Sequence, residues 1–321
     1  MTKIALLRAC RLLSFIHASS QRDTMILEQR FGAAQVAMRA ADILLQRAST
    51  GQAASPDTFR RELFRTGWQL ISEQHAVGSL VNLLDSLLWA LESAETPQEL
   101  HAATQQVIDT YRHQLTQRVF DSAAHSLSVL APCRRIVIHG YSTTVQYALQ
   151  HALRSGQRVD VDCIDDGHVI NHEALRNRIA AIGLHVESVG INDIASLMAN
   201  YDAVVLGADT LDMYGLANSD GTHQLAALAN RYHIPFFAFC TSEKFLPNVF
   251  YTAPVQVIPF DESLSISHSV HRTIDRTPIE HISAVITERG PLPAPAVVAW
   301  LATTQLHPWL IGRGQALTTP S

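Results

Sequence analysis

The hydrophobic period of this chain changes once, just after Pro132, and each side of the change admits a different architecture. From Thr24 to about Ser128, apolar residues recur every three to four positions. They run Phe31, Val36, Ala40, Ile43 and Leu44, then Leu80, Leu83, Leu84, Leu87, Leu88 and Leu91, then Leu100, Val107, Tyr111, Leu115 and Val119. That spacing predicts helices. Breaks fall at Ser49-Thr50-Gly51, at Ser55-Pro56-Asp57 and at Thr96-Pro97. Ser55 suits a helix cap with Pro56 at the first helical position, and Glu99 adds a favourable first-turn carboxylate after Thr96. At least four helices are expected.

Beyond Pro132 the apolar residues gather in short β-rich runs: 136–138, 159–161, 186–189, 203–206, 236–239 and 255–258. Helical patterns separate most of them, and strand–helix alternation calls for a parallel sheet covered on both faces. The fold class is therefore α/β, with a helical N-terminal domain over 1–128 and a parallel-sheet domain over 129–321.

Composition narrows the function. At 321 residues, with 47% hydrophobic and 17% charged, the chain can bury a sizeable core. Its net charge of −5, without a basic stretch, argues against direct nucleic-acid binding. Cys10, Cys133, Cys163 and Cys240 show no CxxC spacing, so neither a zinc site nor a disulfide framework is expected. Arg8 and Arg11 interrupt the apolar N-terminus at helical spacing, unlike a signal peptide, and no run suits a membrane span. A cytoplasmic protein without membrane attachment is the expectation.

Ligands of open α/β sheets bind at the carboxyl ends of the strands. Those ends should carry His139, Gly140, Tyr141 and Ser142; Cys163, Asp165 and Asp166; Gly207, Ala208 and Asp209; and Cys240, Thr241 and Ser242. Gly207-Ala208-Asp209 lets a ligand approach the backbone beside one carboxylate, and Asp209 suits either proton transfer, hydroxyl binding or a cap on the next turn. Asn218-Ser219-Asp220-Gly221-Thr222 opens a helical pattern, where free N–H groups suit a phosphate or simply make a turn. Cys163 and Cys240 are either reactive thiols or small core residues. His168 and His172, at i, i+4 beside Asp165 and Asp166, fit a metal or a solvated helix start; no metal site is assigned. A GxGxxG loop is absent after the first strand, which weighs against a nicotinamide cofactor, and none is expected.

The segment Val204 to Asp209, followed by Asn218 to Thr222 and then Ile234-Pro235-Phe236-Phe237-Ala238-Phe239-Cys240-Thr241-Ser242-Glu243-Lys244-Phe245, resembles the initiation-factor-2B family. That family includes the alpha, beta and delta subunits of initiation factor 2B together with methylthioribose-1-phosphate and ribose-1,5-bisphosphate isomerases. Arg276-Thr277-Pro278-Ile279-Glu280-His281-Ile282 and Val285-Ile286-Thr287-Glu288-Arg289-Gly290 look like its C-terminal signature, and Phe31-Gly32-Ala33 echoes an RGA motif. The resemblance implies a Rossmann-like C-terminal domain and a homodimer or larger assembly built through it. It also implies that Asp209 falls on the isomerases' catalytic Asp, while Gly140 stands where their catalytic Cys belongs. Cys163-Ile164-Asp165-Asp166 stands where the isomerases have an ETRP segment, which places Asp165 where a substrate-binding Arg is expected, and Asn218 to Thr222 lacks the family's Lys. Each lost cation removes a charge-assisted bond of about 1.5–3 kcal/mol to phosphate. Lys244 is shared across both branches.

Two readings follow. In the first, the protein resembles the noncatalytic alpha-subunit branch and holds a small phosphorylated metabolite through His139, Gly140, Tyr141, Ser142, Gly207, Asn218, Gly221, Thr222 and Lys244, in a regulatory or assembly role. In the second, it is an aldose–ketose sugar-phosphate isomerase with a rebuilt site, Asp209 moving the proton and Cys163 or Cys240 replacing the missing thiol.

Overall fold

A computed structural model describes residues 32–50, 53, 55–73, 77–165, 169–252 and 274–312. Four long helices open this region: α1 (Ala33–Thr50), α2 (Pro56–Glu73), α3 (Val77–Leu91) and α4 (Pro97–Ala124). Their starts follow the expected chemistry. The Ser55 hydroxyl accepts from Thr58 N at 3.2 Å, and Thr96 forms a full capping box with Glu99. Leu80, Leu83, Leu84, Leu87, Leu88 and Leu91 are all buried, so α3 is the central helix of this bundle. In α1 the buried stripe differs from the expected one. Ala37, Ala40, Ala41, Leu44 and Ala48 face inward, whereas Val36 and Ile43 are only half-buried. Small residues on that face let α1 approach its neighbours closely.

A short helix α5 (Leu127–Leu130) leads into the sheet, in which β1 (Arg135–His139), α6 (Thr143–Arg154), β2 (Asp160–Asp165), α7 (Val169–Ile182), β3 (Val186–Gly190), α8 (Ile194–Leu197) and β4 (Ala203–Gly207) alternate. Then come β5 (Thr210–Asp212), β6 (Gly215–Ser219), α9 (Thr222–Arg231), β7 (Phe236–Phe239), α10 (Val249–Thr252), β8 (Ile274–Thr277), β9 (Ala284–Thr287), β10 (Gly290–Leu292), α11 (Ala294–Thr303) and α12 (Pro308–Ile311). The main sheet has seven strands in the order β10-β9-β7-β4-β1-β2-β3. All its pairings are parallel except the edge pair β9–β10.

Alternate residues of the central strands feed opposite cores. Val137, Ile164, Val204, Leu206 and Ala238 lie in one cluster; Ile136, Ile138, Cys163 and Val205 lie in the other. A second sheet, β5-β6-β8, is antiparallel and was not foreseen from the hydrophobic runs. Its strands are short and buried throughout where β5 and β6 are concerned, so they carry no alternation to read. The expected run 255–258 lies outside the described residues. Leu246, Phe250, Leu306 and Leu310, which follow the main sheet's later strands, pack into the helical cluster. Among the described residues, no helix is long and apolar enough to cross a membrane.

Candidate functional site

β1 pairs with β2 on one side and with β4 on the other, so the chain leaves β1 in one direction and returns in the opposite one. The connections diverge at that point and leave a crevice beyond the strand ends, which is where this topology places ligands. Tyr141, Ser142, Thr143 and Thr144 line it after β1, Ala208 and Asp209 after β4, and Asn218 and Lys244 from further along the chain. Gly32, Ala33 and Ala34, at the start of α1, close the remaining wall. The space measures about 270 Å³, open solvent at its mouth included.

Each polar wall residue is held by its local structure. Ser142 caps α6, its hydroxyl accepting from Val145 N at 3.3 Å, so the first turn of α6 points its N–H groups at the crevice. Gly140, in the left-handed region at φ 71°, makes the bend that turns the chain from β1 into that cap. Asp209 is 5% exposed, and its backbone N–H donates to Ala217 O at 2.9 Å, joining it to β6. Two residues before it, Gly207 ends β4.

Lys244 is 3% exposed and ends a tight turn, Ser242–Lys244. Two acids anchor this turn. Glu288 accepts from Ser242 N at 3.0 Å and from the Ser242 hydroxyl, which explains why an acid belongs in the Thr287-Glu288-Arg289-Gly290 hairpin. Glu243 accepts from the Thr241 hydroxyl at 2.5 Å and lies 3.8 Å from Arg118 of α4. Burial pushes the Glu243 carboxyl above the ordinary carboxylate range, with Lys244 and Arg118 opposing the shift.

The remaining expected site residues stand elsewhere. His139 is buried behind the crevice wall, its Nδ1 3.5 Å from the Thr222 hydroxyl. Gly221, at φ 86°, caps α9, and Thr222 donates its hydroxyl to Ser219 O at 2.6 Å; neither lines the crevice. The N-terminus of α9 already holds an anion of the chain itself, because His223 N donates to the Asp275 carboxylate at 2.8 Å. Among described residues, the helix start that faces the crevice is that of α6, beside that of α1.

Cys163 lies inside β2 rather than beyond it, in the core cluster of Ile136 and Ile138, and burial pushes its thiol up to about 12. Cys240 follows β7 in the opposite core cluster, fully buried, with its thiol pushed up further by desolvation. Neither sulfur lines the crevice. His172 sets Nδ1 3.2 Å from Ile164 O and Nε2 2.7 Å from the Ser188 hydroxyl, bridging β2 and β3 from within. Asp166 and His168 lie outside the described residues, and among those described no cluster of His, Cys, Asp or Glu is arranged to hold a metal.

Sequence reasoning missed α3 as part of the site. Gly78 and Asn82 sit behind Lys244 in contact with its turn. Their signal, a glycine and an asparagine in an otherwise leucine-rich helix, was present but unread.

The Initiation factor 2 subunit family model matches residues 29–294. The ribose 1,5-bisphosphate isomerase of Methanocaldococcus jannaschii is 23% identical over 288 residues, covering 87% of this chain and 92% of that protein. The translation initiation factor eIF2B subunit alpha of Dictyostelium discoideum is 25% identical over 182 residues, covering 50% of this chain and 56% of its own length. Among solved structures, a chain of the tetrameric eIF2B-beta2-delta2 complex from C. thermophilum superposes with a TM-score of 0.67 at 19% identity, covering 87% of this chain and 92% of that one.

Proposed function

The chain belongs to the initiation factor 2 subunit family, and on that premise we propose that its crevice binds a small phosphorylated metabolite in a regulatory or assembly role, without isomerase chemistry. The N–H groups opening α6 and the Lys244 ammonium supply the positive side of the site, and Asp209 takes a sugar hydroxyl. The observation that carries the reading is the placement of sulfur. Among the described residues no thiol lines the crevice, and Cys163 and Cys240 are buried in cores on opposite faces of the sheet. A nucleophile or acid at either position would have to leave its core to reach a bound sugar. The beta2-delta2 tetramer of the structural relative supports an oligomeric assembly for this chain.

A second reading rests on a different observation: a relative matched over 87% of this chain is named a ribose 1,5-bisphosphate isomerase, and Asp209 and Lys244 share one crevice. Asp209 would then carry the proton between adjacent sugar carbons. A thermal-shift screen of pentose phosphates, hexose phosphates and nucleoside monophosphates, repeated on Asp209→Ala, tests the first reading. A phosphorylated compound should raise the melting temperature of the wild type and raise it less in the variant. Conversion of an aldose phosphate to its ketose would establish the second reading instead.

A further inference from the structure

Asn82 is half-buried on α3 and well away from the crevice in sequence, yet its amide holds the turn that carries Lys244. Its Nδ2 is 2.8 Å from Glu243 O and 2.8 Å from Phe245 O, the carbonyls on either side of Lys244, and 3.0 Å from Gly78 O in its own helix. One planar amide thus grips the turn both before and after the lysine.

Gly78 completes the grip. A Cβ there would lie 2.2 Å from Lys244 O, so only a bare backbone lets α3 approach this closely. The Gly78 N–H donates to the Thr210 hydroxyl at 3.1 Å, and Thr210 directly follows Asp209. One end of α3 therefore touches the neighbour of the crevice carboxylate and the backbone of the crevice ammonium together.

We propose that Asn82 is a positioning residue: with Gly78 it fixes Lys244 relative to Asp209, so that occupancy of the crevice and docking of α3 depend on each other. This rests on the reading of the crevice as a phosphate-ligand site. Linkage makes the dependence reciprocal, since a ligand that needs Lys244 in place favours the docked helix by the same factor that docking favours the ligand. The helical bundle thereby senses the crevice through α3, the central helix of its core.

The chain has only two lysines, Lys3 and Lys244, which makes the test direct. Pyridoxal 5′-phosphate serves as the probe. Its aldehyde carbon condenses with a lysine amine with loss of water, and borohydride reduces the imine to a stable secondary amine that peptide mass spectrometry assigns to either position. The wild type should be labelled at Lys244, with protection by inorganic phosphate. Asn82→Ala and Asn82→Asp, which lose the donor, should lower Lys244 labelling and weaken phosphate protection by about tenfold, leaving Lys3 unchanged. Leu87→Ala, which cuts the core of the same helix without touching the turn, should melt earlier yet keep labelling and protection at wild-type levels. Absence of Lys244 labelling or of phosphate protection in the wild type would overturn the phosphate reading itself. Labelled wild type with equal labelling in Asn82→Ala, or an equal loss in Leu87→Ala, would overturn the role of Asn82 alone.

Discussion

A Cβ atom on Gly207 would lie 2.3 Å from the Oγ of Ser142, so the bare end of β4 is what admits the cap of α6 across the sheet's point of reversal. Gly207→Ala must therefore displace Ser142, either pushing the cap out of line or bending β4 away from it. Overpacking of this kind costs about 1–3 kcal/mol. Urea denaturation should show a lower midpoint with an unchanged slope, and any ligand that raises the wild-type melting temperature should raise that of the variant less.

Asp202 pins the start of β1 to the start of β4. Its carboxylate accepts from Arg135 N at 2.9 Å and from Arg134 N at 2.7 Å, and these backbone bonds hold its pKa below the ordinary 3.8. A depressed carboxylate stabilises the fold above its unfolded pKa, and that contribution disappears as pH falls through the folded value. The gap in melting temperature between wild type and Asp202→Ala should be constant from neutral pH down to about pH 5 and close on further acidification. A gap that widened in acid would contradict the assignment.

The capping box of α4 is a separate structural test. Thr96 accepts from Glu99 N at 3.3 Å while Glu99 Oε2 accepts from Thr96 N at 3.1 Å. Thr96→Ala should lower stability by about 1 kcal/mol, read from the denaturation midpoint, with no change in ligand response.

Burial of the thiols makes a chemical prediction. With Cys163 pushed up to about 12 and Cys240 higher still, both are protonated at pH 8 and shielded by their cores. An aromatic disulfide reagent should leave both unmodified in the folded protein and label both in denaturant, as peptide mapping would show. Rapid labelling of either in the native state would restore it as a candidate for chemistry.

Much of this was legible in the sequence because the signals were local. Leucines at helical spacing marked α3, Thr96-Pro97-Gln98-Glu99 marked the start of α4, and apolar runs ending in small or polar residues marked β1 and β4 with their crevice ends. Tyr141, Ser142 and Asp209, named from those strand ends, Asn218, from a turn before a helical pattern, and Lys244, from the family resemblance, come together around one cavity. What escaped was decided by contacts far apart in the chain. Asp275 caps α9 from a strand more than fifty residues away, which turns Gly221 and Thr222 from an anion site into an internally satisfied helix start. Asn82 and Lys244 are likewise joined only by the docking of α3 on the turn. Cys163 reads as a strand-end residue, but β2 runs on to Asp165, and the alternation of the strand then points the sulfur into a core.

The central claim is that this crevice holds a phosphorylated ligand without transforming it. The purified protein should be incubated with ribose 1,5-bisphosphate and with methylthioribose 1-phosphate, its melting temperature recorded and the sugar followed by NMR. The account predicts a raised melting temperature with at least one sugar phosphate, reduced in Asp209→Ala, and an aldose spectrum that does not change. Appearance of the ketose at a rate abolished by Asp209→Ala would contradict it.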